Sequence, residues 1–431
     1  MTMVEATKPV QQRGDLRNYI LVTAAYWADT LTDGAIRMLV LFYFYELGYS
    51  PFAVASLFLF YELFGVITNL FGGYLGTRFG LKTTLFMGLS TQLCGLCLLA
   101  FAPPTWLVVP YVMFAQALSG IAKDLTKMSS KSAVKLVAGD GQGALYRWVS
   151  ILTGSKNAIK GVGFFVGALL LTLVGFQTAL LILAFVVLSA LLMAVLLIRG
   201  ELGTPKKSAK FTQMFSHNRA VNLLAAARLF LFGARDVWFV VGLPVFLASV
   251  LGWDFWLAGG FLAIWVIGYG FVQALTPNLL RARAAEQREP DGRTAMQLAF
   301  TLAIFPAGIA LALMFGVAPT LAVIGGLIGF GVVFALNSAV HSFLILAYTD
   351  SDKVAMNVGF YYMANALGRL SGTVLSGLLY QFGVQRSTNG GLIACLWGSV
   401  AFVLVAGAIS LALPNTQAAR TKPIQLTDLG E

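Results

Sequence analysis

Long apolar runs, each closed by a short cluster of charged or turn-forming residues, recur along the 431-residue chain. They fall at about 18–45, 51–77, 83–102, 105–123, 145–175, 177–198, 220–250, 254–280, 294–316, 319–347, 353–382 and 388–413. A helix needs roughly 20 apolar residues to cross the hydrocarbon of a bilayer, and the runs above that length must tilt or protrude. The pattern predicts an all-α membrane protein of about twelve transmembrane helices.

Composition agrees with the pattern. Hydrophobic residues make up 58% of the chain and charged residues 11%, against about 25% charged in soluble domains. The 45 glycines suit helices that pack closely in lipid. Residues 1–17 are polar and lead directly into the first run, which is expected to act as an uncleaved signal. The net charge of +11 has a topological explanation. One set of connections holds Lys8, Arg13, Arg17, Arg78, Lys82, Lys123, Lys127, Lys131, Lys135, Arg199, Lys206, Lys207, Lys210, Arg219, Arg281, Arg283, Arg288, Arg293, Lys353, Arg420 and Lys422, whereas the opposite set holds only Arg386. The positive-inside rule then places both termini in the cytoplasm of an inner-membrane protein, and nucleic acid is not needed to explain the charge.

The strongly basic stretch 199–219 falls between the sixth and seventh runs. It divides the chain into an N-terminal six-helix bundle (1–198), a cytoplasmic central loop (199–219), a C-terminal six-helix bundle (220–413) and a cytoplasmic tail (414–431). Leu47-Gly48-Tyr49 recurs as Leu251-Gly252-Trp253, and Asn18 recurs as Asn222 at the same offset. Such a repeat suggests two halves related by an axis along the membrane normal. Between the second and third runs, Gly73-Tyr74-Leu75-Gly76-Thr77-Arg78-Phe79-Gly80-Leu81-Lys82 resembles the G-x-L-A-D-R-x-G-R-R/K loop of major facilitator transporters. Thr77 stands where that family usually has Asp. The resemblance implies a twelve-helix major facilitator fold with pseudo-twofold halves.

Several charges lie within the runs: Arg37, Arg147, Lys156, Lys160, Arg228, Arg235 and Arg369, with the acids Asp29, Asp33, Glu62 and Asp236. A charge at the bilayer centre costs about 3 kcal/mol or more, so it persists only when paired or when it faces water or a ligand. Asp29, Asp33 and Arg37 share one helix face, as do Lys156 and Lys160, Arg228 and Arg235, Asn337 and His341, and Asn365 and Arg369. Arg37 is expected to bridge Asp33, and Asp236 to sit beside a basic neighbour. Leaving Arg147 aside at the cytoplasmic boundary, the bases still outnumber the acids, and the two lysines have no acid on their own helix. A positive pair without a counter-charge requires an anion or must lose protons. The substrate-binding candidates are therefore Lys156, Lys160, Arg228, Arg235, Arg369, Arg37 and Asn365. Asp29, Asp33, Glu62, Asp236 and His341 are candidates for proton coupling or charge pairing, with Glu62 the best isolated carboxylate. Arginine suits phosphate-like groups through its planar two-donor fork.

Other chemistries find little support. Cys94, Cys97 and Cys395 lie in apolar runs and form no disulfide framework or metal site. The aromatic groups Phe42-Tyr43-Phe44-Tyr45 and Trp253 with Trp256 sit near run ends and read as interfacial belts. No H-E-x-x-H or G-x-S-x-G occurs, and the only histidines are His217 and His341, which speaks against an enzyme. No domain outside the runs is large enough for a receptor.

Long segments resemble a more specific group. They are Thr32-Asp33-Gly34-Ala35-Ile36-Arg37-Met38-Leu39-Val40, LSGIAKDLTKMSSKSAVK at 118–135, GALYRWVSILTGSKNAIKGVGFF at 143–165, RLFLFGARDVWFVVGLPVF at 228–246 and GWDFWLAGGFLAIWVIGYG at 252–270. Together they are similar to organoarsenical efflux permeases of the ArsJ type. That resemblance implies export of 1-arseno-3-phosphoglycerate, functional pairing with a glyceraldehyde-3-phosphate dehydrogenase that makes it, no cofactor, and a monomer. Another organophosphate or organic anion fits the intramembrane charges equally well.

Overall fold

A computed structural model describes residues 8–133, 144–200, 218–283, 290–349 and 354–414. The rest of the central loop and the tail lie outside them, as do the side chains of Thr77, Arg78 and Arg147. The described residues form thirteen α-helices, one short 3-10 turn at Pro104–Trp106 and no strand: α1 Lys8–Glu46, α2 Pro51–Ser56, α3 Leu59–Phe79, α4 Leu81–Ala100, α5 Val109–Ala133, α6 Ala144–Leu197, α7 Arg219–Phe239, α8 Gly242–Ser249, α9 Phe255–Arg283, α10 Gly292–Met314, α11 Pro319–Ala347, α12 Val354–Val384 and α13 Gly390–Ser410.

Among the described residues, eight stretches are long and apolar enough to cross a membrane. One of them, Ser155–Leu197, covers two predicted runs and breaks at Gly175, whose φ is 77°. The three predicted runs that do not qualify are α1, α5 and α12, where polar and charged residues replace apolar ones.

Local chemistry sets the breaks. Gly80 has φ 80° and alone joins α3 to α4. That left-handed conformation is open to glycine at little cost, so the loop motif makes its turn in one residue. The run 220–250 divides into α7 and α8 because Pro244 has no N–H and its ring collides with the carbonyl four residues earlier, at Val240. The backbone N–H groups of Val241 and Gly242 bond instead to Ser376 Oγ, at 3.2 and 3.0 Å. The run 105–123 is longer than expected. Helix α5 continues to Ala133, so Lys123 and Lys127 stand on a helix and not in a loop. Lys127 bonds Asp124 one turn back at 2.7 Å, and Asp124 also accepts from Thr68 at 2.9 Å, which lets the polar run stay helical.

Packing repeats between the halves of the chain. Helix α1 lies against α6 as α7 lies against α12, and α4 against α5 as α10 against α11. Gly48 and Gly252, the matched glycines of the sequence repeat, both have positive φ, 82° and 67°. Contacts of α3 with α12 and of α6 with α9 join the two halves. The aromatic run after Leu41 is not an interfacial belt, because Phe42 and Phe44 are fully buried. Phe42 stacks on Phe255 of α9 at 4.7 Å, and Tyr43 stacks on Phe176 at 4.1 Å. Trp256, by contrast, is exposed.

Candidate functional site

Two close helix crossings bring the intramembrane charges together. At the first, a Cβ on Gly34 would lie 2.6 Å from the Lys160 carbonyl oxygen, and one on Gly163 would lie 2.4 Å from that of Leu31. Only small residues let α1 and α6 approach so closely. At this crossing Lys160 Nζ bonds Asp33 Oδ2 at 2.7 Å, and the Tyr61 hydroxyl donates to Asp33 Oδ1 at 2.5 Å. The second crossing has the same construction. A Cβ on Gly368 would lie 2.1 Å from the Leu229 carbonyl oxygen, and one on Gly372 would meet the Asp236 side chain at 2.8 Å. There α12 presents Arg369 to Asp236, Nε to Oδ2 at 3.3 Å.

The two crossings are linked. Glu62 Oε1 accepts from Arg37 at 2.8 Å and from Arg369 at 2.6 Å. Asp236 accepts from Arg235 Nη2 at 2.5 Å. A chain of alternating charge therefore runs Arg37–Glu62–Arg369–Asp236–Arg235, from α1 through α3 to α12 and α7. Its middle contact ties the first half of the molecule to the second.

Exposure separates the signs. The side chains of Lys160, Arg235 and Arg369 are 15–17% exposed, whereas those of Asp33, Glu62 and Asp236 are 1–2% exposed. The acids lie behind and the cations in front. The bonded set also holds one more base than acid, since Arg37, Lys160, Arg235 and Arg369 face Asp33, Glu62 and Asp236. Such a surface offers charge-assisted donors to an anion while its own charges stay anchored.

Several expectations change here. Arg37 does not bridge Asp33. It reaches across to Glu62 because Lys160 and Tyr61 already occupy both carboxylate oxygens of Asp33. Lys160 is not a cation without a counter-charge, for its acid comes from α1. Glu62 is the reverse of an isolated carboxylate, since two guanidiniums hold it. Asp236 has its basic neighbour as expected, and Arg369 in addition. Lys156 is half-buried one turn before Lys160. Asp29 stands apart from the chain of charges and accepts from Thr126 at 2.6 Å. Arg228 donates to Asn365 at 3.0 Å, with the buried His341 on the neighbouring α11.

Sequence reasoning missed Tyr61, Thr126 and Ser338, whose partners lie on other helices. The Asp124–Lys127 pair was signalled by its three-residue spacing. Among the described residues no group of His, Cys, Asp and Glu is arranged to hold a metal ion, and the three cysteines are free thiols.

Solved structures that share this architecture include two transporters. A D-xylose–proton symporter superposes with a TM-score of 0.68 at 14% identity, over 95% of this chain and 99% of its own. The nucleoside transporter NupG gives 0.69 at 13% identity, over 92% and 99%. No curated protein matches the sequence. The family model described as Major Facilitator Superfamily matches residues 22–342. With that match over most of its length, and with the paired crossings and repeated helix packing of its two halves, the chain belongs to the major facilitator superfamily and is a multi-pass membrane transporter of small substrates.

Proposed function

We propose that this transporter exports a small organic oxyanion, specifically 1-arseno-3-phosphoglycerate, and thereby gives resistance to arsenate. The observation that carries the anionic part is the segregation of sign at the helix crossings, with Lys160, Arg235 and Arg369 in front and their acids sealed behind. A neutral solute has no use for a cationic excess that costs several kcal/mol per ion to desolvate. An anion makes that excess favourable. The arsenical is supported by the resemblance of the long segments around these residues to organoarsenical permeases. Pentavalent arsenic in this form mimics phosphate and calls for lysine and arginine, not thiols. A glyceraldehyde-3-phosphate dehydrogenase supplies the substrate in the cytosol. Both termini and the central loop face that side of the inner membrane, with six-helix bundles at 1–198 and 220–413, and the protein works as a monomer.

The experiment is arsenic uptake into everted vesicles while the dehydrogenase, its triose substrate, NAD and arsenate generate the ester outside. Arsenic should accumulate only with both the transporter and the dehydrogenase present. Uptake of 3-phosphoglycerate without arsenic would favour an organophosphate carrier. Uptake of neither would reject the anion reading.

A further inference from the structure

Arg228 is left over once the chain of charges is complete. It is 5% exposed, and among the described residues no carboxylate lies within 4.0 Å of it. Neutral groups hold it. Nε donates to Asn365 Oδ1 at 3.0 Å, and Nη1 donates to the backbone and side-chain oxygens of Ser338, both at 3.1 Å. The guanidinium packs on the Phe232 ring at 3.8 Å. Nη2 makes no hydrogen bond among the described residues, yet it is not one of the polar atoms sealed from solvent. One donor edge of a buried cation is therefore left open.

A second deficit lies beside the first. On α11, Asn337 and His341 are one turn apart and flank Ser338. Both are buried, and the Asn337 amide atoms and His341 Nδ1 lack any partner. On α12 the Tyr361 ring lies 5.1 Å from the guanidinium, and its buried hydroxyl makes no well-formed hydrogen bond, with Ser342 of α11 beside it. Native interiors rarely leave such groups unbonded, because each keeps the full cost of losing water. An anion seated at Nη2 relieves the lone cation and offers acceptors to neighbouring donors. The free geometry also selects the anion. A planar carboxylate binds arginine best through two parallel bonds, but Asn365 and Ser338 already occupy Nε and Nη1. A tetrahedral oxyanion, with three outer oxygens, can take Nη2 and gather further donors from α11 and α12.

Position adds a length. Arg228 and Arg235 are seven residues apart on one face of α7, about 10 Å along the axis. Phe232 lies between them, 3.8 Å from one guanidinium and 5.2 Å from the other. We propose that Arg228, with Tyr361 and His341, forms a second oxyanion subsite for one terminal phosphoryl-type group of a solute whose other end is held by Arg235, Arg369 and Lys160. The proposal rests on the anion-transport reading and deepens it: the substrate class is a short carbon linker with a tetrahedral oxyanion at each end.

Two stable probes test it, propane-1,3-diyl bisphosphate and glycerol 3-phosphate, titrated against the full-length protein in nanodiscs by intrinsic tryptophan fluorescence. Wild type should prefer the bisphosphate by about tenfold or more, the worth of one charge-assisted contact. Arg228→Gln should erase that preference, and Arg228→Lys should restore part of it. The melting temperature of ligand-free Arg228→Gln should fall less than that of Lys160→Gln, since only the neutral acceptors Asn365 and Ser338 lose a donor and no charge is stranded. An undiminished bisphosphate preference in Arg228→Gln overturns the proposal. If that variant does not fold, Tyr361→Phe, which removes only a hydroxyl, should still reduce the preference several-fold, and an unchanged preference there overturns it too. Failure of wild type to bind either probe rejects the anion reading itself, and equal binding of both by wild type rejects only the second subsite.

Discussion

The charges at the two helix crossings and the lone arginine of α7 solve the same physical problem in opposite ways. At the crossings every cation has a carboxylate within 3.3 Å, and Glu62 and Asp236 are each shared by two arginines. Arg228 is held by an amide and a serine. A buried pair destabilises strongly when one partner is removed, because the other charge is stranded. A cation held by neutral groups strands no charge when it is removed, only neutral acceptors, which costs less. Stability measurements should therefore divide the intramembrane charges by partner.

The largest effect belongs to Glu62. Its two arginines lose their shared counter-charge in Glu62→Gln, and the variant should lose about 4 kcal/mol or more of stability. Thermal unfolding in detergent measures this, and adding Arg37→Gln should restore part of the loss. A wild-type melting point for Glu62→Gln would show that the link between α3 and α12 is incidental.

Lys160→Gln comes next, at about 2–3 kcal/mol, because Asp33 keeps the Tyr61 hydroxyl but loses its cation. Asp33→Asn in the same chain should return the melting point toward wild type without returning transport. Recovery of both would assign Lys160 to packing alone.

Arg235→Gln should separate the two readouts. Asp236 retains Arg369, so stability should fall by less than about 1 kcal/mol. Transport should fall roughly 30-fold, the equivalent of a lost charge-assisted contact of about 2 kcal/mol. Loss of stability without loss of transport would reverse the assignment. The smallest effect is expected from Cys94→Ser with Cys97→Ser. These free thiols line a pocket with Phe101, Trp106 and Tyr111 and no charged residue, and arsenate resistance on plates should remain complete. Its loss in a stably expressed protein would point to thiol chemistry instead.

The helical plan was legible because a membrane span must satisfy its backbone internally and be largely apolar, so twelve runs could be read even though α1, α5 and α12 carry polar and charged residues. The break at Gly175, the one-residue turn at Gly80 and the matched Gly48 and Gly252 follow from residues visible in the chain. The identity of the charged residues was equally plain, but their partners were not. A helical repeat shows which side chains share a face and says nothing of the face opposite. Arg37 was matched to Asp33 because they are neighbours along α1, whereas its partner Glu62 lies on α3. Glu62 looked isolated because its second arginine is 307 residues away. Lys127 was placed in a loop because the acceptors that keep it helical, Asn69 and Asp124, include one from α3.

The central claim is that the cations facing outward at the crossings recognise an oxyanion. Arg369 tests it most directly, since it touches both Glu62 and Asp236 yet keeps 17% of its side chain exposed. Dehydrogenase-dependent arsenic uptake into everted vesicles should be measured for wild type, Arg369→Lys and Arg369→Gln at matched amounts of folded protein. The account predicts uptake falling in that order, with Arg369→Gln near the empty-vesicle background. Wild-type uptake by folded Arg369→Gln would contradict it.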